Sequence, residues 1–345
     1  MENTCGFVHL HNHTMYSLLD GAIKPKELIK CAVEWGMGAV ALTDHGNMFG
    51  AVDLYLQAKN AGIKAIIGSE VYVAIDSRFK KESTPGNIDS SHHLVLLAAT
   101  NQGYMNLMKI VSAGYVEGFY YKPRVDKAYL REYSEGLIAM SACIGGEVPR
   151  LAIQGHLDQA EAVAKEYNEI FGEGNFFLEL QRHGIPEEEP ANAALINISK
   201  KTGIPLVATN DAHYLKAGHS ESHEVLLCIS TGKTLEDENR MRMETNQLYL
   251  KTPDEMKALF ADVPEALENT VRIAERCEVS IKTGEYNPVQ FTVPEEFAGN
   301  TDEYLAHIAR EGLVRRYGAD AELHRGRLEY ELGIIKTMGF SDYFL

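Results

Sequence analysis

Short runs of strand-forming residues alternate with helical segments through the first two thirds of the chain, and nothing else in the sequence limits the fold so strongly. The strand candidates are FVHLH at 7–11, AVALTDH at 39–45, KAIIGSEVYVA at 64–74, HLVLLAAT at 93–100, LIAMSACI at 137–144, FFLEL at 176–180 and PLVATNDAHYL at 205–215. Between them lie segments of helical spacing such as KPKELIKCAVEW, where Pro25 suits a first turn, GHLDQAEAVAKEYNEIF and ANAALINISKKTGI. Strict alternation implies a parallel sheet covered by helices, either doubly wound or closed into a barrel. A barrel delivers residues from every strand to one mouth, whereas an open sheet does so only near its switch point. Here His11, His13, Asp44, His45, Glu70, Cys143, Asp211 and His213 all come late in their runs, and only His93 stands at the start of one. The expected fold class is therefore α/β, a distorted seven-stranded (β/α)7 barrel.

The 345 residues, 45% of them hydrophobic and 24% charged, suffice for one large domain and a smaller appendage. No apolar run approaches the ~18 residues a membrane helix needs, and the N-terminus lacks the basic-then-apolar pattern of a signal peptide, so a cytoplasmic protein is expected. Cys5, Cys31, Cys143, Cys228 and Cys277 are scattered without a CxxC pair, which indicates reduced thiols rather than a zinc ribbon or a disulfide framework. The net charge of −16 argues against nucleic-acid binding through a general basic surface. It leaves open a local phosphate site, or cations held by carboxylates. After about residue 232 the alternation fades, and TGEYNPVQFTVPEEFAGNT is a connector without clear periodicity. A boundary is expected near 285, dividing a domain at 1–285 from a segment at 286–345 whose two amphipathic helical patterns have no strand partners.

Taken singly, each histidine is most simply a core or surface residue. Together they are harder to dismiss. HNH at 11–13 and DAH at 211–213 stand at the two ends of a barrel whose closure brings first and last strands together. Imidazole and carboxylate at strand ends suit borderline divalent metals. Asp20 in YSLLDG and Glu70 in IGSE add acids, and the set exceeds what one tetrahedral or octahedral ion can use. A multi-metal centre generates hydroxide near neutral pH and clamps phosphate oxygens, so phosphoester hydrolysis is the natural inference.

The segments HLHNHT, YSLLDGA, ALTDHGNMFGAV, IIGSEVYV, HHLVLLA, GFYYKPRVD, SACIGGEV, LELQRHG and ATNDAHYL resemble, in this order, the PHP (polymerase and histidinol phosphatase) domain of bacterial DNA polymerase III alpha subunits. The resemblance runs over nearly the whole chain. It implies a distorted seven-stranded barrel and a trinuclear centre of divalent metals (zinc, manganese or iron). The nine implied ligands are His11, His13, Asp20, His45, Glu70, His93, Cys143, Asp211 and His213. Many polymerase members replace some of these; all nine are present here, so the resemblance implies a metal-retaining member with 3′ to 5′ exonuclease proofreading at a DNA 3′ end. It also implies a place in DNA replication, with the remainder of the alpha subunit and a separate proofreading subunit as partners. ELGIIKTMGFSDYFL resembles the entry to that polymerase's palm region, whose nucleotidyl-transfer aspartates lie beyond Leu345, so no polymerisation is expected from this chain alone. Two other readings fit: a catalytically silent platform for the polymerase and proofreading subunit, and a small-molecule phosphatase of the histidinol phosphatase type. GFYYKPRVD and MGFSDYFL argue against the second.

His9 shares the strand period of His11 and His13, and is expected to orient a ligand or touch substrate. Arg124 and Arg182 are expected to meet substrate phosphates, because a guanidinium fork suits phosphate geometry; Lys122 and His183 are weaker candidates of the same kind. Tyr120 and Tyr121 are suited either to stack on an unpaired base or to pack on the barrel rim. Cys143 has no dedicated base and reads as a ligand rather than a nucleophile. His92 is expected to face the surface, and His156, His219, His223, His307 and His324 carry no assigned role.

Overall fold

The computed structural model describes residues 3–83, 90–285 and 287–345. The chain divides into two compact units, Met1–Ile281 and Lys282–Leu345.

The first unit is built on a seven-stranded sheet. Its strands are β1 (Ala39–Leu42), β2 (Lys64–Ala74), β3 (Ser91–Ala98), β4 (Arg124–Val125), β5 (Leu137–Met140), β6 (Phe176–Leu180) and β7 (Leu206–Ala208). They lie in the order β1-β2-β3-β5-β6-β7, with the short β4 also against β2. The edges are joined by the extended segment at 7–14. On one side the amide of Ala41 donates to His9 O and that of Thr43 to Asn12 O; on the other, Ala212 donates to His11 O and His13 to Ala212 O. The curled sheet is thereby bridged from β1 round to the end of β7, as a barrel requires.

Two features depart from the sequence reading. The run at 7–11 belongs to none of these strands, and isolated bridges form just after it, at Asn12 and Thr14. In addition, β3 runs antiparallel to β2 and β5 while the other pairings are parallel. No helix is described between β2 and β3, and a connection without a helix suits antiparallel neighbours rather than a βα crossover. The alternation is therefore broken once, and the barrel is not a strict (β/α)7 repeat. The reversal accounts for His93: the start of an antiparallel strand lies at the mouth reached by the ends of the parallel ones.

Residues along the strands alternate between two apolar layers. Val8, Leu10, Ala39, Ala41, Ile66, Val95, Leu97, Ile138, Met140, Phe177 and Val207 fill the interior, together with Ile273, Ala274 and Cys277 of the helix Pro264–Arg276 and the residues that follow it. Val40, Leu42, Val71, Leu94, Leu96, Leu137, Leu178 and Leu206 face the surrounding helices. Each fully buried side chain of this size contributes ~1.5–3 kcal/mol.

The N-terminal segment follows this alternation up to Leu10 and then breaks phase. Phe7 lies in the outer layer, while Val8 and Leu10 lie in the inner one. His11, although next to Leu10, also turns inward, where it meets Glu70 and Glu179. The break centres on Asn12, whose side-chain amide donates to His9 O and Ala41 O. Such local side-chain bonds compete with a regular ladder.

In the second unit the helices Thr301–Tyr317 and Ala321–Met338 are joined by Arg310 and Glu329 through bonds of 2.7 and 2.8 Å. Asn300 caps the first of these helices by accepting from Glu303 N. Among the described residues of the chain, no helix is long and apolar enough to cross a membrane.

Candidate metal centre

At the barrel mouth the structure brings together all nine residues singled out as ligands. Their donor atoms form three groups: His13, His45 and His213; His11, His13, Glu70 and Asp211; and Glu70, His93 and Cys143. Within each group the atoms lie within 4.8 Å of one another. His13 and Glu70 each belong to two groups, so the three are contiguous. Asp20 adjoins them, 2.9 Å from His45 Nε2 and 3.9 Å from His213 Nε2.

Glu70, on β2 and wholly buried, is the centre of the arrangement. Its Oε2 lies 2.9 Å from His11 Nε2 and 3.8 Å from His13 Nε2. Its Oε1 lies 3.0 Å from His45 Nδ1 and 2.8 Å from His93 Nδ1. Asp211 Oδ1 approaches His13 Nε2 at 2.9 Å and His11 Nε2 at 3.3 Å. Cys143 Sγ is 3.5 Å from His93 Nδ1.

Three of the loops that carry these groups hold a residue other than glycine in the left-handed region: Leu19 (φ 61°) before Asp20, Ala142 (φ 62°) before Cys143, and Asp211 itself (φ 45°). Such residues persist only where their surroundings over-determine them. Gly21 closes the first loop; a Cβ there would stand 2.0 Å from Thr14 O.

Two relays behind the cluster orient the HxH pair, and neither was foreseen from sequence. Glu179 of β6 puts Oε1 2.6 Å from His11 Nδ1 and accepts from Gln181 Nε2 and Thr209 Oγ1. Ser17 Oγ lies 3.1 Å from His13 Nδ1 and donates to Asp44 Oδ1 at 2.8 Å; Asp44 also accepts from Thr14. Both Nδ1 atoms are thereby engaged, leaving both Nε2 atoms directed at Glu70 and Asp211. A buried Glu on an interior-facing position of β6 was the available sequence signal. His223, given no role above, places Nε2 2.7 Å from Asp20 O and 3.5 Å from Asp20 Oδ1.

The electrostatics follow from packing. Burial opposes the charged form of His45, but Glu70 and Asp20 outweigh it and raise its pKa to about 10. His13 goes the other way, to about 3, because burial is reinforced by His45, stacked 3.8 Å away, and by His213. Burial would raise Glu70, Asp20 and Asp211, yet the surrounding imidazoles hold all three well below the usual carboxylate range. Burial, with Glu70 and Asp211 nearby, pushes the Cys143 thiol well up. Only a cation at its side would favour the thiolate.

The donor set fits divalent metals. Two imidazole Nε2 atoms stand 3.1 Å apart, converging with carboxylates on a common point, and buried Asp211 Oδ1 faces both of them, at 2.9 and 3.3 Å.

The expected substrate contacts fare differently. His9 is buried, its Nε2 2.7 Å from Lys251 O, and it belongs to none of the three groups; the phase break at Asn12 separates it from His11. Arg124 is buried as well, its guanidinium donating to Gly118 O and Lys80 O. Arg182 forms a forked pair with Asp262 at 2.6 and 2.8 Å and donates to Leu259 O. His183 lies between Glu188, at 2.5 Å, and Asn210 O, at 2.9 Å. Each of these side chains is occupied within the fold. Lys122 donates to Tyr72 Oη at 3.1 Å.

The PHP domain family profile matches residues 9–183. The chain is 47% identical over 342 residues to the DNA polymerase III subunit alpha of Borreliella burgdorferi, covering 98% of this chain and 29% of that protein. It is 44% identical over 326 residues to the DNA polymerase III subunit alpha of Thermus aquaticus, covering 92% of this chain and 26% of that one. The chain thus spans less than a third of the length of these curated relatives. Among solved structures, a two-domain protein from Bacteroides vulgatus containing a predicted PHP-like metal-dependent phosphoesterase aligns at a TM-score of 0.38 and 14% identity, over 82% of this chain and 74% of that one.

Proposed function

Because this chain belongs to the PHP domain family, we propose that its nine-residue cluster holds three divalent cations and hydrolyses phosphodiesters, releasing nucleotides from a DNA 3′ end. The observation that carries this reading is the contiguity of three donor groups through His13 and Glu70. His13, His45 and His213 would hold one ion; His11, His13, Glu70 and Asp211 a second; Glu70, His93 and Cys143 a third, with Asp20 beside the first. When bound, such ions supply a nucleophile at neutral pH and charge stabilisation for in-line displacement. Zinc, manganese and iron all suit a donor set of imidazole, carboxylate and thiolate.

The chain's own part is positioning. Glu179 and Ser17 fix the rings of His11 and His13, so that ligand geometry is set before substrate arrives. Glu70 serves two groups with its two oxygens. In the overall reaction water adds across the P–O3′ bond, giving a nucleoside 5′-monophosphate and a DNA strand shortened by one residue with a free 3′-hydroxyl.

The similarity to polymerase subunits supports a wider proposal: that the chain belongs to a DNA polymerase III alpha subunit in the cytoplasm, acting in replication beside the remainder of that subunit and a separate proofreading subunit. The corresponding domain limits are the expected 1–285 and 286–345.

The second reading, a structural platform without catalysis, is favoured by one observation. Glu70 meets four imidazoles, so ring nitrogens of the fold surround its carboxylate on every side without a cation. Elemental analysis of the purified chain, with cleavage of a 3′-labelled oligonucleotide with and without chelator, separates the two. Two or three metals per chain, with cleavage lost to chelator and in His13→Ala, is the expected result; a metal-free, inactive chain under every ion tried overturns the nuclease reading.

A further inference from the structure

We propose that Lys122 binds the internucleotide phosphate adjacent to the one hydrolysed, with Tyr121 beside it as a stacking surface for an unpaired base, so that the site selects a nucleic-acid strand over a mononucleotide ester. This rests on the phosphodiesterase reading above and adds the element that reads the strand.

Position is the first argument. Lys122 Nζ lies 4.5 Å from the centroid of the Tyr72 ring and donates to Tyr72 Oη. That ring stands edge-on to His93 at 5.3 Å and stacks with His45 at 6.3 Å. One tyrosine ring therefore separates the ammonium from two imidazoles of the cluster. With that ring between them, Lys122 does not share the phosphate held at the imidazoles; it meets the next one along a strand.

Availability is the second. The guanidinium groups of Arg124 and Arg182 are committed to backbone carbonyls and to Asp262. Lys122 makes no ion pair with any described carboxylate. An ammonium has three donors and Tyr72 uses one, which leaves two for phosphate oxygens.

Rigidity is the third. The turn that carries Lys122 is anchored by Arg124 donating to Gly118 O and by Tyr120 N donating to Lys122 O. Pro123 lies against two glycines: a Cβ added to Gly46 would stand 2.7 Å from Pro123 Cγ, and one on Gly114 3.1 Å from Pro123 C. Within this anchored turn Tyr121 is held at φ 58° and is 65% exposed, its ring edge-on to Tyr120 at 4.7 Å. An aromatic ring held in solvent in a strained conformation, next to a cation that pairs with no described carboxylate, is the combination by which single strands are bound: charge on the backbone and a π face for the base. It also resolves the difficulty posed by a net charge of −16, because one local cation beside a metal centre needs no basic surface.

The test is the salt dependence of binding of a fluorescein-labelled single-stranded DNA, with phosphorothioate 3′ linkages to resist hydrolysis, to the metal-loaded chain. Lys122→Gln should reduce the slope of log Kd against log salt by about 0.7, and Lys122→Arg should restore it. Tyr121→Ala should weaken binding by roughly fivefold or more while leaving the slope alone. In hydrolysis, the preference in kcat/KM for an oligonucleotide over thymidine 5′-p-nitrophenyl phosphate should fall several-fold in Lys122→Gln, through KM. An unchanged slope in Lys122→Gln overturns the proposal, as does the absence of wild-type binding at low salt. Binding that behaves as expected in a chain that hydrolyses neither substrate would leave Lys122 in place and remove the nuclease reading.

Discussion

Glu179 Oε1 lies 2.6 Å from His11 Nδ1, with both side chains wholly out of solvent. This carboxylate fixes which nitrogen of His11 faces the candidate metal centre and raises its basicity, and losing such partners typically costs ~10–100-fold in metal affinity. Glu179→Gln keeps the volume and removes the charge. We expect metal affinity, measured by competition with a chromophoric chelator, to fall within that range while the circular dichroism spectrum is retained; unchanged affinity would show that His11 is oriented without this charge, with Gln181 Nε2 3.4 Å from its Nδ1.

The pKa of His45, raised from its ordinary 6.5 to about 10, has consequences of opposite sign for the fold and for metal uptake. Its folded value exceeds its unfolded one, so it stabilises the metal-free chain fully below pH 6.5 and that stabilisation is lost as pH rises through about 10. Metal binding must displace the same proton. Metal uptake at pH 7.5 should therefore release protons, read as a dependence of calorimetric enthalpy on buffer ionisation, and affinity should rise with pH. In the metal-free chain, the urea midpoint should fall from pH 7 to 10 more steeply for wild type than for His45→Gln.

Gly21 supports the Asp20 loop through contact rather than chemistry. Its Cβ position is 2.0 Å from Thr14 O, so Gly21→Ala must displace backbone beside His13. Overpacking of this kind costs ~1–3 kcal/mol. Urea denaturation should show a loss of that order, together with reduced metal content from the misplaced Asp20; a variant with wild-type values for both would mean the loop shifts freely.

Arg182 should prove structural. It is forked onto Asp262 and lies 5.0 Å from the Phe260 ring centroid, and because Asp262 is largely exposed the pair contributes no more than ~1 kcal/mol. Arg182→Ala is expected to lower the melting temperature by a few degrees and to leave the KM for a 3′-labelled oligonucleotide unchanged. A several-fold rise in KM would return it to the substrate site.

What the sequence by itself determined is the inventory and the local geometry. β2 and β6 coincide with the runs read at 64–74 and 176–180, because strands buried along their length appear as continuous apolar segments. Six of the nine candidate ligands, His11, His13, His45, Glu70, Asp211 and His213, were legible because HxH, TDH, GSE and DAH place polar donors where a core strand would not otherwise carry them; the full set of nine came from the resemblance to PHP domains. The tertiary structure decided what depends on partners remote in the chain. The reversal of β3 brings His93 to the common mouth, and it follows from how β2 and β3 pair, not from the residues of β3. Asn12 breaks the alternation that grouped His9 with His11, through bonds to His9 O and to Ala41 O. Glu179 and His11 are separated by 168 residues, so no local pattern announces their contact. Arg124 and Arg182 carry the same charge in the sequence as Lys122, and only the packing shows that their donors are already engaged. Residue type and period are local properties, whereas strand direction, burial and the saturation of donors are properties of the assembled barrel.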